Sequence, residues 1–157
     1  MMDMIILIDD KMTYDSIDDN NTLMQQAYPN YKWYIDLNNR TWFLFYQDNK
    51  IVGNFSIMET NDYCYIFNQL ENLYVDSNYR RQYIGIYMMD ELKIWCINNN
   101  KSEINLDINP TNLQAINFFK KNGFQIEETS INKVYMNLYF NSENIIEQDL
   151  ELWCFLC

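Results

Sequence analysis

Hydrophobic and polar positions change their spacing along the chain, and this change separates predicted strands from predicted helices. A short apolar run at 4–8 predicts a buried strand, and an acidic, loosely helical stretch follows it to about residue 31. Aromatic and β-branched residues flank the turn at 48–50 and predict an antiparallel hairpin. The stretch 63–75 predicts the third strand of that meander.

From residue 78 the apolar positions recur three and four residues apart, which is typical of an amphipathic helix that ends near 98–100. The remaining predicted elements are a strand at 103–109, a helix that Thr111 or Asn112 can cap and that Gly123 ends, and a hairpin of 123–129 with 133–140. This order predicts an α+β (mixed α/β) fold with a central mixed, mostly antiparallel sheet and flanking helices.

The composition places these elements in one domain. The chain has 157 residues, of which 48% are hydrophobic, and its three glycines and two prolines form no linker. We therefore expect a single domain over 1–157, in which 141–157 forms a C-terminal tail that packs on the domain or on a partner subunit, as in a homodimer.

Charge and the pattern of apolar runs exclude some partners. A net charge of -11 disfavours nucleic-acid binding and favours cationic partners. No apolar run approaches the roughly 18 residues of a membrane span, and the acidic start does not fit a signal peptide. We expect a cytoplasmic protein that binds neither nucleic acid nor membrane.

The absence of histidine removes the usual zinc ligand and the usual base of a Ser or Cys hydrolase. No metal site is predicted. An acyl-enzyme on Cys64 or Cys96 lacks an activating histidine, and Cys96 falls on the apolar stripe of a predicted helix, which favours core packing.

The segment Val75–Gly85 combines a strand end, a turn and a helix start, where unpaired backbone N–H groups and the helix dipole favour an anion. Arg80 and Arg81 add two cations there, in a chain that is otherwise strongly acidic. The alternative is an ordinary surface helix with solvated arginines, because a turn with one glycine is a weak signal.

This turn, taken together with the stretch Asn109–Phe124, resembles the GNAT superfamily of N-acetyltransferases. The resemblance rests on Leu73-x-Val75, Tyr79-Arg80-Arg81-x-x-Ile84-Gly85, and Asn112-x-x-Ala115-x-x-x-Phe119-x-Lys121-x-Gly123-Phe124. It implies an acyl-CoA N-acyltransferase fold whose strand ending at Val75 splays from the strand 104–108, with acetyl-CoA as co-substrate.

The resemblance also implies roles for individual residues. The backbone of Leu73 and Val75 would pair with the pantetheine amides, and Asn112 would bond the cofactor, although capping of the second helix is an alternative role. The pyrophosphate would be held by the backbone amides of the turn, which belong to Arg80, Arg81, Tyr83, Ile84, Gly85 and Ile86. Phe119 stands where many members carry a tyrosine that protonates the leaving thiolate. Its ring can pack against the cofactor but cannot donate a proton.

The implied reaction is direct attack of an amine on the thioester, which needs a base to deprotonate the amine. Glu71 and Asp107 are the candidates, and Glu71 is favoured because strand alternation would place it on the same face as Leu73 and Val75. For either residue, a solvated carboxylate at a strand end is the alternative.

Tyr83 replaces a glycine of the family pattern, so we expect a negative φ there and a ring that points away from the pyrophosphate. A positive φ would favour the alternative function, a CoA-binding module with weak or no catalysis. The acidic positions Asp9, Asp10, Asp15, Asp18 and Asp19 favour a cationic acceptor such as a polyamine, an aminoglycoside-like amine, or the Lys or N-terminal amine of a peptide. Solubility alone is the other explanation of these charges.

Overall fold

The computed structural model describes residues 2–7, 14–27, 29, 40–62 and 65–140. These residues form seven strands, three α-helices and a short 3₁₀ turn. In chain order the elements are β1 (Met2–Leu7), α1 (Tyr14–Ala27), β2 (Arg40–Gln47), β3 (Lys50–Asp62), β4 (Tyr65–Val75), the 3₁₀ turn (Ser77–Tyr79), α2 (Ile84–Asn98), β5 (Glu103–Ile108), α3 (Leu113–Lys121), β6 (Gln125–Thr129) and β7 (Val134–Tyr139). The predicted α+β class and element order are confirmed.

The chain divides into two compact units, Met1–Met89 and Asp90–Cys157, at a boundary inside α2. The expectation of one domain over 1–157 stays a prediction, and the tail 141–157 lies outside the described residues. Among the helices of the described ranges, none has the length and apolar composition needed to cross a bilayer.

The first unit contains an antiparallel sheet in the order β1-β2-β3-β4. A two-residue turn joins β2 to β3, and both of its residues, Asp48 and Asn49, have positive φ values of 51° and 60°. Such a turn matches the right-handed twist of a hairpin. The hairpin predicted around 48–50 is therefore confirmed.

One face of this sheet is aromatic and packs against the start of α2. The rings of Phe43 and Phe55 stack with centroids 4.5 Å apart, and Phe45 meets the edge of Tyr87 from α2 at 6.0 Å. Gly53 allows this close approach, since a Cβ there would lie only 2.9 Å from the Met88 sulfur.

The opposite face of the sheet is anchored to α1. Asn54 on β3 is fully buried and donates from Nδ2 to the sulfur of Met24 at 3.1 Å. Trp42 and Leu44 on β2 lie directly across from Ser56 and Asn54, so they share this face. The first unit is thus a sheet with α1 on one face and α2 on the other.

The second unit contains the antiparallel strands β5, β7 and β6 in that order. The core of this unit includes the alternating apolar positions of β5 and β7, which are Ile104, Leu106, Ile108, Val134, Met136 and Leu138. Gly123 has a φ of 97° and ends α3 as predicted, because the left-handed conformation lets the N–H of Phe124 bond the carbonyl of Phe119 at 3.1 Å.

Candidate functional site

A β-bulge interrupts β4 in the middle of the predicted cofactor strand. Ser56 pairs with Glu71 and Asn54 pairs with Tyr74, so Asn72 and Leu73 together oppose a single residue of β3. Asn72 has a φ of 55°, and its Nδ2 donates to Oγ of Ser56 at 2.9 Å. The bulge is therefore held by a side-chain hydrogen bond across the two strands.

The bulge overturns the predicted face of Glu71. Residues that pair directly across antiparallel strands share a face, so Glu71 lies with Ser56 and Tyr74, while Val75 lies with Gly53 on the opposite face. The prediction that Glu71 shares a face with Leu73 and Val75 is wrong, because the inserted residue breaks the alternation on which it depended. Glu71 thus belongs to the face that α1 covers.

Glu71 is held by an ion pair within this sheet. Nε of Arg40, on β2, donates to Oε2 of Glu71 at 3.0 Å, and the two side chains are only 21% and 23% exposed. A hydrogen bond between two charged groups is shorter and stronger than a neutral one. The sequence reasoning missed Arg40, although it is the one arginine outside the pair Arg80–Arg81.

Asp76 shapes the turn that follows β4. Its N–H donates to the carbonyl of Val52 on β3 at 2.9 Å, and its carboxylate accepts from the N–H of Asn78 at 2.8 Å. The side chain of Asp76 is buried, so this carboxylate is committed to the turn. The turn therefore leaves the sheet at a fixed position.

Arg80 and Arg81 differ in their surroundings. Nε of Arg80 donates to the carbonyl of Val75 at 3.0 Å, and its guanidinium lies 5.2 Å from the centre of the Tyr74 ring. Arg81 is exposed and has a φ of 63°. Both arginines are exposed, and Arg80 also braces the turn against the strand end.

Tyr83 has a φ of 64°, so the prediction of a negative φ at this position is wrong. The prediction relied on the steric preference of a bulky residue, which costs roughly 1–2 kcal/mol to override. The surrounding turn imposes the left-handed conformation that a glycine would supply. The side chain is 78% exposed, so its ring extends into solvent.

The start of α2 offers free donors beside these two left-handed residues. The N–H groups of Ile86 and Tyr87 both bond the carbonyl of Tyr83 at 3.0 Å, so the N–H groups of Ile84 and Gly85 precede the helical ladder. The first turn of α2 contains no acidic residue. Helix N-termini and turns with alternating left-handed residues bind anions through such backbone groups. The predicted anion-binding turn therefore has the required backbone arrangement.

A family model for the acetyltransferase (GNAT) family matches residues 7–124. The chain belongs to this family. The recognised family, the fold class and the enzyme class predicted from the sequence are confirmed. Among curated protein sequences, none gives a significant match.

Solved GNAT structures have the same fold at low sequence identity. A probable acetyltransferase from Staphylococcus epidermidis ATCC 12228 is 15% identical with a TM-score of 0.72, over 90% of this chain and 100% of that one. PaiA N-acetyltransferase from Thermoplasma acidophilum, in complex with coenzyme A, is 16% identical with a TM-score of 0.67, over 88% and 99%. A GNAT acetyltransferase from Elizabethkingia anophelis with acetyl-CoA bound is 12% identical with a TM-score of 0.64, over 88% and 98%.

The second GNAT motif lies in the second unit. Oδ1 of Asn112 accepts from the N–H of Ala115 at 3.1 Å, so Asn112 caps α3. Its role in binding the cofactor stays a prediction, which would use the donor group Nδ2. The ring of Phe119 is 6% exposed and packs edge-to-face on Phe118 and Phe124, each at 5.2 Å. Its contact with the cofactor also stays a prediction.

Asp107, the second candidate base of this GNAT protein, is also ion-paired. Its Oδ2 lies 2.8 Å from Nζ of Lys133, which is half exposed and sits 5.8 Å from the centre of the Tyr135 ring. The hydrogen bond to Asp107 and the charge of that carboxylate raise the pKa of Lys133 above its ordinary value, and Tyr135 adds to this effect. Lys133 is therefore a cation throughout the neutral range.

A cysteine nucleophile and a set of metal ligands are the remaining candidates for chemistry within the described ranges. Burial raises the pKa of the Cys96 thiol to about 12, against an opposing effect of the Lys101 charge, so the thiol stays protonated at neutral pH. Cys64 lies outside the described residues. The ranges that the structure describes contain no group of three Cys, Asp or Glu side chains able to hold a metal ion.

The predicted site residues are divided between the two units. The first unit contains Glu71, Leu73, Val75 and the turn residues from Arg80 to Ile86, while the second contains Asp107, Asn112 and Phe119. The first group is continuous along the chain, from the bulge through the turn to the start of α2.

Proposed function

We propose that the protein transfers the acetyl group of acetyl-CoA to a primary amine, by direct attack of the amine within a ternary complex. The observation that carries the proposal is the turn between β4 and α2. Its left-handed residues Arg81 and Tyr83 and the free N–H groups of Ile84 and Gly85 suit a pyrophosphate, in a chain whose family uses acetyl-CoA. The guanidinium groups of Arg80 and Arg81 add charge complementarity.

The bulge supports a role for β4 in holding the pantetheine. An extra residue in one strand disrupts the ladder, so the backbone near Leu73 is not fully used by β3. In our proposal the backbone groups of Leu73 and Val75 pair with the pantetheine amides, and Asn112 donates from Nδ2 to the cofactor. In this proposal β4 holds the pantetheine and the turn after it holds the pyrophosphate.

We assign the base to Glu71, because it adjoins the bulge of β4 next to the proposed pantetheine-binding backbone and lies on the sheet face to which α1 is anchored. It accepts the proton of the substrate ammonium, directly or through water, and the neutral nitrogen attacks the thioester carbonyl. The tetrahedral intermediate then expels the CoA thiolate, and its nitrogen loses a second proton to water, which leaves the neutral amide. That thiolate takes its proton from water or from a tyrosine elsewhere in the chain, because Phe119 has no hydroxyl group.

The acceptor in this proposal is a cationic amine. Glu71 lies on the sheet face to which α1 is anchored through Asn54, and α1 carries Asp18 and Asp19. Carboxylates on the same side as the base raise the local concentration of an ammonium substrate. Polyamines, aminoglycoside-like amines and peptide amines all have this chemistry. Asp9 and Asp10 lie outside the described residues.

The second candidate function is a CoA-binding module with weak or no catalysis. It is favoured by the positive φ of Tyr83, together with the missing hydroxyl group at Phe119. Against it, the left-handed conformation preserves the backbone shape that a glycine would give at this position. The strain at Tyr83 therefore affects stability more than the ability of the turn to bind an anion.

A turnover assay separates the two functions. Protein is incubated with acetyl-CoA and a panel of amines, and the free CoA thiol is measured. Transferase function predicts thiol release that depends on the amine and falls at least about 100-fold in Glu71→Gln, because a general base contributes that much. Glu128→Gln, which removes an exposed carboxylate of β6, is the matched control and should keep the wild-type rate. Binding of acetyl-CoA without any amine-dependent release would favour the second function.

A further inference from the structure

Arg40 and Glu71 meet across an intervening strand. On the shared face, Arg40 lies opposite Met58 of β3, and Glu71 lies opposite Ser56 of the same strand. The Arg40 side chain therefore crosses β3 diagonally to reach the carboxylate at 3.0 Å. This contact joins a residue at the start of β2 to one at the bulge of β4, 31 positions later in the chain.

Two separate hydrogen bonds hold Glu71 in place, one at the backbone after it and one at its carboxylate. The backbone after it is held by the left-handed Asn72, whose side chain is bonded to Ser56. The carboxylate itself is held at Oε2 by Arg40. Since the guanidinium is planar and donates along fixed directions, it limits the orientations of the carboxylate more than a flexible ammonium would. Oε1 of Glu71 is then left to accept the substrate proton.

We infer that Arg40 is a positioning residue for the reaction, which holds the Glu71 carboxylate in the orientation that accepts the proton of the amine. The inference rests on the proposed function and on Glu71 as its base. Arg40 touches neither acetyl-CoA nor the reacting atoms in this account. It acts on the reaction through Glu71, so its removal should change the catalytic step and leave binding of acetyl-CoA intact.

The pair between Asp107 and Lys133 provides an internal comparison. Lys133 is 50% exposed and is a point charge on a flexible stem, whereas Arg40 is 21% exposed and makes its bond through Nε. Both pairs bring a cation to a candidate carboxylate. Arg40 is the less exposed of the two cations and donates along a fixed direction, as a positioning contact requires.

The test is a double-mutant cycle measured as kcat and KM. Arg40→Gln should lower kcat by about 10- to 100-fold, the loss that a small misplacement of a catalytic group causes. KM for acetyl-CoA should stay within about twofold, because its binding turn is untouched. Arg40→Lys should recover part of kcat, since an ammonium can still donate to the carboxylate. In the Glu71→Gln background, Arg40→Gln should cause no further loss, because residues that act as a unit are not additive.

Folding is checked by the thermal midpoint and by the dissociation constant for acetyl-CoA of each variant. Lys133→Gln is the matched control, which removes a cation from Asp107 and should keep the wild-type kcat. Three results would overturn the inference: an unchanged kcat in Arg40→Gln, losses that add in the double variant, or a loss of kcat in Lys133→Gln as large as the loss in Arg40→Gln. Absence of amine-dependent turnover in the wild type would overturn the proposed function along with it.

Discussion

Replacing Tyr83 with glycine should stabilise the protein. Tyr83 has a φ of 64°, a conformation that costs a non-glycine residue roughly 1–2 kcal/mol. Glycine removes this cost but loses more backbone entropy on folding, about 0.4–1 kcal/mol. The side chain is 78% exposed, so little buried area is lost with it. The net gain should be about 0.5–1 kcal/mol, or a rise of about 1–4 °C in the thermal midpoint for a chain of this size.

Two variants separate backbone strain from loss of the ring. Tyr83→Ala removes the ring but keeps a Cβ at positive φ. Its free energy of unfolding should therefore rise much less than that of Tyr83→Gly. Gln82→Gly introduces glycine at the neighbouring exposed position, where φ is not positive, and should lose about 0.5–1 kcal/mol. The measurement is urea unfolding of all three variants beside the wild type. Equal stability of Tyr83→Gly and Tyr83→Ala, or a loss in Tyr83→Gly, would refute the reasoning.

Three further predictions concern other positions. Gly53→Ala should lower the free energy of unfolding in urea by about 1–3 kcal/mol, because its methyl group would lie 2.9 Å from the Met88 sulfur. An unchanged unfolding midpoint would contradict this packing of α2 against the sheet. Asn112→Asp keeps the side-chain acceptor that caps α3 but removes the donor Nδ2. The thermal midpoint should therefore be unchanged, while CoA should bind more weakly in a titration. Unchanged affinity for CoA would show that Asn112 only caps the helix. The Cys96 thiol should resist iodoacetamide in the folded protein at pH 8, and the part of the stability that depends on it should be lost as pH rises from 9 towards 12, because the unfolded thiol ionises first. Rapid labelling of folded protein, followed by peptide mapping, would contradict this burial.

The features that sequence could predict are set by short-range patterns. The turn at Asp48–Asn49, the cap at Asn112 and the helix end at Gly123 each depend on a few neighbouring residues. The turn lies within the predicted 48–50, Asn112 was one of two predicted caps, and the helix end was predicted at Gly123. The family was also readable, because its two motifs are continuous segments. Such features need no knowledge of which strands pair.

The features that sequence could not predict depend on strand register. The bulge at Asn72 is defined only by the pairing of β4 with β3, and the bond from Arg40 to Glu71 requires the order of three strands. The prediction of a negative φ at Tyr83 was wrong for a related reason. It used the backbone preference of a single residue, and the surrounding turn overrides that preference. In this candidate site, the local sequence predicts the proposed binding turn, and the register of the sheet orients the candidate base.

The most direct test of the central claim is mass spectrometry of a reaction that contains the protein, acetyl-CoA and a diamine acceptor. Direct transfer predicts an acetylated amine, an equal amount of free CoA and a protein whose mass is unchanged during turnover. The same reaction without protein measures the background. No acetylated amine above that background, with acetyl-CoA bound to the folded protein, would contradict the proposed transfer.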